Sequence, residues 1–418
     1  MNQDDLEEEH KNLPPTIEDK LNSMQTFVDQ KEFVVIDNGT GFIKCGFSGE
    51  DLPRVSIPTV MGVKEIIIEP SQTNDQGGKK YSRIYGERAQ DNSHEYDITY
   101  PIKRGVIEDF DTMKYCWHHL LSHKNMHNQK KCNLLITDSP LNHKDNKIKM
   151  AEYLFDKLKD HNIAIDSLNI MNSSVLSLFA SGRTSGIVVE SGQGITTAVP
   201  IFEGYALPHA IKSINLAGED VTFNLLDSLM AQGIEVDNSN INHIRKIKEQ
   251  MCSVALDYDR AINSSDPLRE ESCLYELPDD KGIIKVDHKI RFNATELLFN
   301  PEIIGCDIPS IPQIAYDSIY KCDQDLQITL FNNIILTGGT SLLPGFKDRF
   351  EQDLYELAAH TARTDIKIDI DLPRRHSAWV GGSMIASLST FDDMTIKATD
   401  YEENPELHDD AVLKKLVF

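Results

Sequence analysis

Two carboxylates sit in the same sequence setting about 150 residues apart, and that repetition points to phosphate chemistry. Asp37 follows the apolar run Val34-Val35-Ile36 and precedes Asn38-Gly39-Thr40-Gly41-Phe42-Ile43-Lys44. Glu190 follows Ile187-Val188-Val189 and precedes Ser191-Gly192-Gln193-Gly194-Ile195-Thr196-Thr197. Glycines two residues apart let backbone N–H groups approach a phosphate chain, and an acid at the turn can order a hydrated magnesium ion. Thr40 can hydrogen-bond a phosphate and Lys44 can pair with its charge. One such run alone is more often a structural turn. Here it is duplicated, and Gly338-Gly339-Thr340 follows the apolar run Ile334-Ile335-Leu336 and precedes a helical pattern. A strand that delivers paired glycines to a helix is a common way of placing backbone against a nucleotide.

The elements that must position these groups are two β-hairpins, each an apolar strand, a glycine turn and a second strand. The first spans about 31–48. Residues 63–82 read as a surface loop, with Ile66-Ile67-Ile68 and a polar stretch from Asn74 to Gly78. Asp111 is placed to cap a helix with Met113, Trp117, Leu120 and Leu121 on one face. Leu134-Leu135-Ile136 is a short buried strand, and Ile148, Ala151, Phe155 and Leu158 mark another helix. A helix ending at Ala180 is stopped by Gly182. In the second half a long helix is predicted over about 241–261. Another follows Pro344, with Phe346, Phe350, Leu354 and Leu357 inward. Strands alternating with helices indicate an α/β class. The duplicated hairpin indicates two related lobes with a ligand cleft between them.

At 418 residues the chain is long enough for two cores. Its net charge of −24 argues against gripping nucleic acid through phosphates, which needs clustered Lys and Arg. The seven cysteines are scattered, without a CxxC pair, so neither a zinc site nor a disulfide framework is indicated. The acidic N-terminus and the absence of a long apolar run predict a soluble intracellular protein with no membrane contact. Residues 1–31 form a separate extension, with Asp4, Asp5, Glu7, Glu8 and Glu9 before Pro14-Pro15. It reads as a flexible tail, or as a short partner-binding helix capped by Thr16.

The chain resembles the actin family over roughly 33–418. Runs that carry the resemblance include Tyr100-Pro101-Ile102 with Gly105-Val106-Ile107, and Leu176 to Thr184 (Leu-Ser-Leu-Phe-Ala-Ser-Gly-Arg-Thr). Others are Phe202-Glu203-Gly204-Tyr205-Ala206-Leu207-Pro208-His209-Ala210-Ile211, Leu216-Ala217-Gly218 and Trp379-Val380-Gly381-Gly382-Ser383. Sugar kinases and Hsp70-type chaperones share the hairpins but not these runs. The resemblance implies an actin-like ATPase fold, with two duplicated lobes and four subdomains around a central nucleotide cleft. The small lobe would be 32–180 plus 377–418, and the large lobe 181–376. The cleft would hold ATP or ADP with Mg2+ or Ca2+. By position, Gly39, Thr40, Gly41 and Lys44 would hold phosphates from one side, and Gly192, Gln193 and Gly194 from the other. Gly218, Arg245, Lys248 and Glu249 would line ribose and base; read without the family, Lys248 and Glu249 are a solvated helix face. Gly338, Gly339, Thr340 and Arg375 would close the adenosine side, while Asp37 and Glu190 would order the metal's waters.

Departures from the family pattern carry the functional expectation. Glu190 and Gln193 stand where actins have Asp. Ser173 aligns with the glutamine that positions the attacking water, and Thr197 with a histidine of the same water network. Losing such groups typically removes about 10²–10⁴-fold in rate. Weak or absent hydrolysis is therefore expected, unless Glu190 and Gln193 compensate in a rebuilt site. The loop aligned with 63–82 inserts into the next subunit of an actin filament, and here it differs. Arg104 stands where actins carry a modified histidine. The partner groove is matched by Phe179, Gly182, Thr184, Tyr205, Ile385, Leu388, Thr390 and Met394. The resemblance thus implies a non-polymerising or poorly polymerising subunit of a larger protein assembly, with actin or related proteins and a partner helix among its contacts. A polymerising, active ATPase and a chromatin-remodelling subunit are the alternatives. Cytoplasmic or cytoskeletal placement is expected, ciliary structures included, with the nucleus left open.

Overall fold

In the computed structural model, the residues described are 31–68, 78–234, 236, 241–263, 273–276, 282–359, 365–371 and 373–403. The acidic extension's proposed helix and the tip of the 63–82 segment lie outside them.

The first hairpin is β1 (Phe33–Asn38) with β2 (Phe42–Phe47), and β3 (Val55–Pro58) extends it. Residues 63–82 are not simply a loop. β4 (Met61–Ile68) and β5 (Gly78–Tyr85) pair antiparallel, and β6 (Asp97–Thr99) completes a three-stranded sheet. The β-branched Ile66–Ile68 run, taken as loop because glycine and polar residues follow it, is strand. β7 (Ile102–Lys103) and β8 (Val106–Ile107) form a small hairpin. Helix α1 (Phe110–Leu121) follows, capped by Asp109, whose carboxylate accepts from the Thr112 N–H at 2.9 Å, rather than by Asp111. β9 (Lys131–Asp138) and β10 (Ala164–Asn172) then run parallel to β1.

Helix α2 (Ser173–Ala180) starts where the Asn172 side chain accepts from the Ser174 N–H, and the chain turns out of it at Gly182, φ +72°. The second hairpin is β11 (Gly186–Ser191) with β12 (Thr196–Phe202), extended by β13 (Tyr205–Ala206) and β14 (Lys212–Ile214). Helix α3 (Gly218–Ala231) follows. The long helix expected over 241–261 is interrupted. Helix α4 (Ile241–Met251) ends, and the Val254 N–H turns to the Pro344 carbonyl at 2.8 Å before a short helix resumes at Tyr258–Asn263. That long-range backbone bond leaves no trace in helical periodicity. β15 (Cys273–Glu276) and β16 (Ile283–Val286) form a separate hairpin. β17 (Ile334–Thr337) and β18 (Ile368–Asp369) complete the second sheet on either side of α5 (Phe346–Ala358). In α5, Ala358 rather than Leu357 is the last buried position. Helix α6 (Ser377–Ala386) and β19 (Ile396–Lys397) return to the first sheet.

The two main sheets have orders β19-β10-β9-β1-β2-β3 and β13-β12-β11-β17-β18. Each has an antiparallel hairpin whose first strand pairs in parallel with a later strand. Continuous apolar runs form these central strands because both of their faces are covered. Val34 and Ile36 enter one core, with Met113 and Trp117 of α1, while Phe33 and Val35 enter another, with Trp379 of α6. In the same way Ile187 and Val189 face the core built on α3 and α5, while Val188 faces Val175 and Leu178 of α2. Helices α2 and α6 cross between the lobes at very close range. A Cβ on Gly381 would collide with the Leu176 carbonyl oxygen, so only glycine allows this approach. Among the described residues, no helix is long and apolar enough to cross a membrane.

Candidate functional site

The two hairpin tips face each other across the cleft and interlock. A Cβ on Gly41 would strike the Gln193 side chain, and one on Gly194 would lie 2.7 Å from Thr40 Cγ2. Both tips have their carbonyls drawn away by donors from outside the turn. The Thr59 hydroxyl donates to the Gly39 carbonyl at 2.7 Å, and the Thr59 N–H to that of Gly41 at 3.1 Å. In the second tip, the Gly192 carbonyl accepts from the Thr340 hydroxyl at 2.6 Å and the Gly218 N–H at 3.1 Å. The Gln193 carbonyl accepts from the Glu219 N–H, and that of Gly194 from Arg104 Nη1, both at 2.8 Å. With carbonyls turned outward, each turn can offer N–H groups to an anion.

The acids differ in their surroundings. Asp37 is buried, and its cross-strand neighbour is Lys44. Lys44 Nζ lies 2.5 Å from Asp37 Oδ2, and the Thr137 hydroxyl donates to Asp37 Oδ1 at 2.9 Å. Glu190 faces Thr197 across its hairpin, so no cation is opposite. The Ser173 hydroxyl reaches Glu190 Oε2 at 3.3 Å. Burial, then the Asp37 charge, push the Glu190 carboxyl up to about 7, against the pull of Lys44 and of the Ser173 and Ser174 hydroxyls.

The cleft is lined by Asp37, Gly39, Thr40, Gly41 and Lys44 from one hairpin, and by Glu190, Gly192, Gln193, Gly194 and Thr197 from the other. Ser173, Lys248, Glu249, Gly338, Gly339, Thr340 and Arg375 complete the expected set. Two expected residues do not line it. Gly218 packs beneath the second tip, where a Cβ would meet the Thr340 hydroxyl at 2.5 Å. Arg245 lies on α4, one turn before Lys248, with its Nε buried and without a hydrogen-bond partner among the described residues. Lys248 Nζ donates to the Gly218 carbonyl at 2.8 Å and to Thr222 Oγ1 at 3.0 Å. Burial lowers its pKa to about 8. Lys248 is therefore no solvated helix residue, whereas Glu249 is exposed and 3.4 Å from Arg375 Nη2. Asp138, Ser139 and Pro140 also line the cleft and were not anticipated as site residues. Their only signal was the end of a buried strand.

A nucleotide fits this architecture on one specific ground. A Cβ on Gly339 would meet nothing within 4 Å, and one on Gly192 only a carbonyl at 3.6 Å. These glycines leave backbone open toward the cleft instead of relieving a protein clash. No group of three or more His, Cys, Asp or Glu able to hold a metal occurs among the described residues. A cation here would depend on Asp37, Glu190, water and the ligand's own phosphates.

The actin family model matches residues 28–244 and 237–415. The chain belongs to the actin family. The α/β architecture with two hairpin-bearing sheets around a cleft is the actin-like ATPase fold. The residues expected to form a partner groove fall into two groups. Tyr205, Leu388 and Met394 are large, apolar and exposed, and Gly182, Thr184 and Thr390 are exposed too. Phe179 is half-buried, and Ile385 belongs to the core with Trp379 and Phe391.

Proposed function

We propose that this actin-family chain binds ATP or ADP with Mg2+ as a structural ligand between its lobes, hydrolyses it weakly or not at all, and serves as a subunit of a larger cytoskeletal assembly. The observation that carries the reading is the pair of facing hairpin tips with their carbonyls drawn back, together with the open backbone at Gly192 and Gly339. Gly39, Thr40, Gly41 and Lys44 would hold the phosphates from one side, and Gly192, Gln193 and Gly194 from the other. Gly338, Gly339, Thr340, Lys248, Glu249 and Arg375 would surround the nucleoside. The metal, when bound, would polarise the terminal phosphate.

Hydrolysis needs a base that positions water. Ser173 and Thr197 carry hydroxyls in place of one, and the Gln193 side chain is packed against Gly41. Glu190 is the one acid of its hairpin tip, and burial together with the Asp37 charge pushes its carboxyl up to about 7. That value also supports a second reading, in which Glu190 serves as the base of a rebuilt site. Exposed Tyr205, Leu388 and Met394 suit an amphipathic partner helix.

Thermal unfolding with and without ATP–Mg tests the binding claim. Ligand at 100 times its Kd adds about 2.7 kcal/mol, and an unmoved midpoint would remove the nucleotide from the proposal. Phosphate release separates the two catalytic readings. Turnover abolished by Glu190→Gln supports the rebuilt site, whereas no turnover in the native chain supports the structural ligand. Pelleting together with phosphate release would overturn the non-polymerising reading.

A further inference from the structure

The three-stranded sheet β4-β5-β6 meets the rest of the first lobe through a narrow set of side chains. Val60, Ile84 and Ala89 form a small core of its own, with Tyr96 and Ile98 packed against them. Among the described residues, Met61, Val63 and Tyr85 of the sheet join the larger core around α1. The rest of the junction is aromatic and cationic. Arg83 and Tyr85, two apart on β5, share one face. Tyr115, His118 and His119, at positions i, i+3 and i+4, share one face of α1. The Tyr85 ring stacks on His119, with centroids 4.3 Å apart and planes 14° from parallel. The Arg83 guanidinium lies 4.3 Å from the centre of the Tyr115 ring.

Behind this junction the imidazoles continue. His119 has His123 at 6.3 Å between ring centres, His118 has His161 at 4.9 Å, and His161 has Tyr115 at 5.3 Å. His123 belongs to the turn after α1, and His161 to the turn Lys159–His161 before β10. The charged groups acting here are chiefly cations. They are Arg83 of β5, Arg88 of the short helix Glu87–Asp91, and Lys114 of α1, which Asp111 partners at 3.3 Å. Tyr85, Tyr115 and the buried Cys116 lie among them. Glu87 and Asp91 on the short helix, and Asp160 beside His161, are exposed and make no ion pair with these four histidines. Histidine–carboxylate pairs among the described residues occur at His94 and His143 instead. Burial, then His123, His118 and Arg88, hold the His119 imidazole below its ordinary value, and burial with His161 does the same to His118.

We propose that this junction is a proton-operated latch, in which protonation of His118 and His119 releases the sheet β4-β5-β6 from α1. A charge on either imidazole meets Arg88 and the neighbouring imidazoles, with Arg83 one ring away and no carboxylate paired to it. A cation–π attraction between protonated His119 and Tyr85 opposes release. It acts on one contact, whereas the repulsion acts on the whole row. The junction favours the neutral imidazoles. Docking is therefore complete above the ordinary histidine value of about 6.5 and is lost as pH falls below it. None of these residues lines the nucleotide cleft, so the latch does not depend on what fills it.

Hydroxyl-radical footprinting of the full-length chain, read by mass spectrometry, tests it. Oxidation of Tyr85 and Tyr115 should rise about threefold between pH values one unit above and one unit below the ordinary histidine value. Tyr401, buried in the first lobe's core, should stay unchanged. In H118Q/H119F, which keeps a ring against Tyr85 and cannot take the protons, the rise should be absent. H119K carries a fixed charge and should show the raised oxidation already at the higher pH. Equal Tyr85 oxidation at the two pH values in the native chain would overturn the proposal, as would the same rise in the double variant. A parallel rise at Tyr401 would mean that acid loosens the whole lobe and would overturn it too. H119K oxidised no faster than the native chain would refute it, since charge at that position would then leave the junction closed.

Discussion

The two hairpins share one topology and have opposite electrostatics. In each, an acid is the last residue but one of the first strand, a residue seven positions on faces it across the hairpin, and a threonine stands in the last two residues of the neighbouring parallel strand. In the first hairpin these are Asp37, Lys44 and Thr137, and they form one connected group. In the second they are Glu190, Thr197 and Thr337, and they do not. The Thr337 hydroxyl is engaged with the Arg374 carbonyl at 3.0 Å and with Ser377 Oγ, at the start of α6. Glu190 has hydroxyls beside it and no ion-pair partner among the described residues, with the Asp37 charge raising its pKa and the Lys44 charge only partly offsetting that. The first carboxylate is thus paired with a cation of its own hairpin, while burial and the Asp37 charge raise the pKa of the second. A duplicated backbone thus carries its two acids in different surroundings.

The largest expected consequence is at Lys44. Removing one member of a buried ion pair leaves the other charge uncompensated, which typically costs about 3–5 kcal/mol. Lys44→Ala should therefore lower the unfolding free energy of the ligand-free chain, read from denaturant titration, by that amount. The matched change in the other hairpin, Thr197→Val, removes no charge and should stay within about 1 kcal/mol. Equal losses at both positions would erase the distinction between the hairpins.

The next effect concerns pH. Glu190 has its folded pKa raised to about 7 from the usual 4.5. Its ionised form is disfavoured in the fold, so the residue subtracts stability as it loses its proton. The loss is absent below about pH 4.5, grows through the window up to pH 7 and is complete above it. The native chain should lose about 2–3 kcal/mol relative to Glu190→Gln across that window, with chelator present. Lys248, lowered to about 8, titrates above it and does not confuse the comparison. Parallel stability curves for the two proteins from pH 4.5 to 7 would show that Glu190 is solvated like an ordinary surface carboxylate.

Much of this was legible in sequence, because local signals coincide with global ones along the central strands. Val34 to Asp37 and Ile187 to Glu190 are apolar on both faces and end in an acid, and the structure puts both acids in the cleft. The Gly338-Gly339 turn was equally readable. What escaped detection was set by long-range partners. The break after α4 depends on a bond to Pro344, the strand at Met61–Ile68 on pairing with a segment that looked like loop, and the cap at Asp109 on which of two nearby acids reaches Thr112. The charge state of Glu190 depends on what faces it across the sheet. The sequence shows Thr197 at the right spacing, but not that Thr337 turns away. Nor did alignment reveal that Gly218 serves packing beneath the tip while Gly339 opens to the cleft.

The smallest effect sharpens how the second tip is held. Arg104 belongs to the turn between β7 and β8 and sits at φ +46°, a conformation that costs a side-chain-bearing residue about 1 kcal/mol. Its guanidinium forms a two-point pair with Asp220, at 2.8 and 2.9 Å, and also donates to the Gly194 carbonyl. Asp220 in turn accepts from the Ala217 N–H at 2.8 Å, closing the start of α3. One side chain therefore ties the first lobe to the second hairpin tip and to the helix behind it. The first tip needs no such strap, since Thr59 of its own lobe holds it. The pair is partly exposed, with side-chain exposures of 36% and 19%, so screening limits its worth to about 1 kcal/mol. Arg104→Gly relieves the backbone strain while removing the pair, and Arg104→Ala removes the pair alone. Glycine should therefore be the less destabilising of the two by about 1 kcal/mol, with both variants within 2 kcal/mol of the native chain. Hydrogen exchange at residues 192–195 should rise in both variants and stay unchanged at 39–41. Faster exchange at both tips would mean that Arg104 supports the cleft as a whole, and that the two hairpins are less independent than their separate cores suggest.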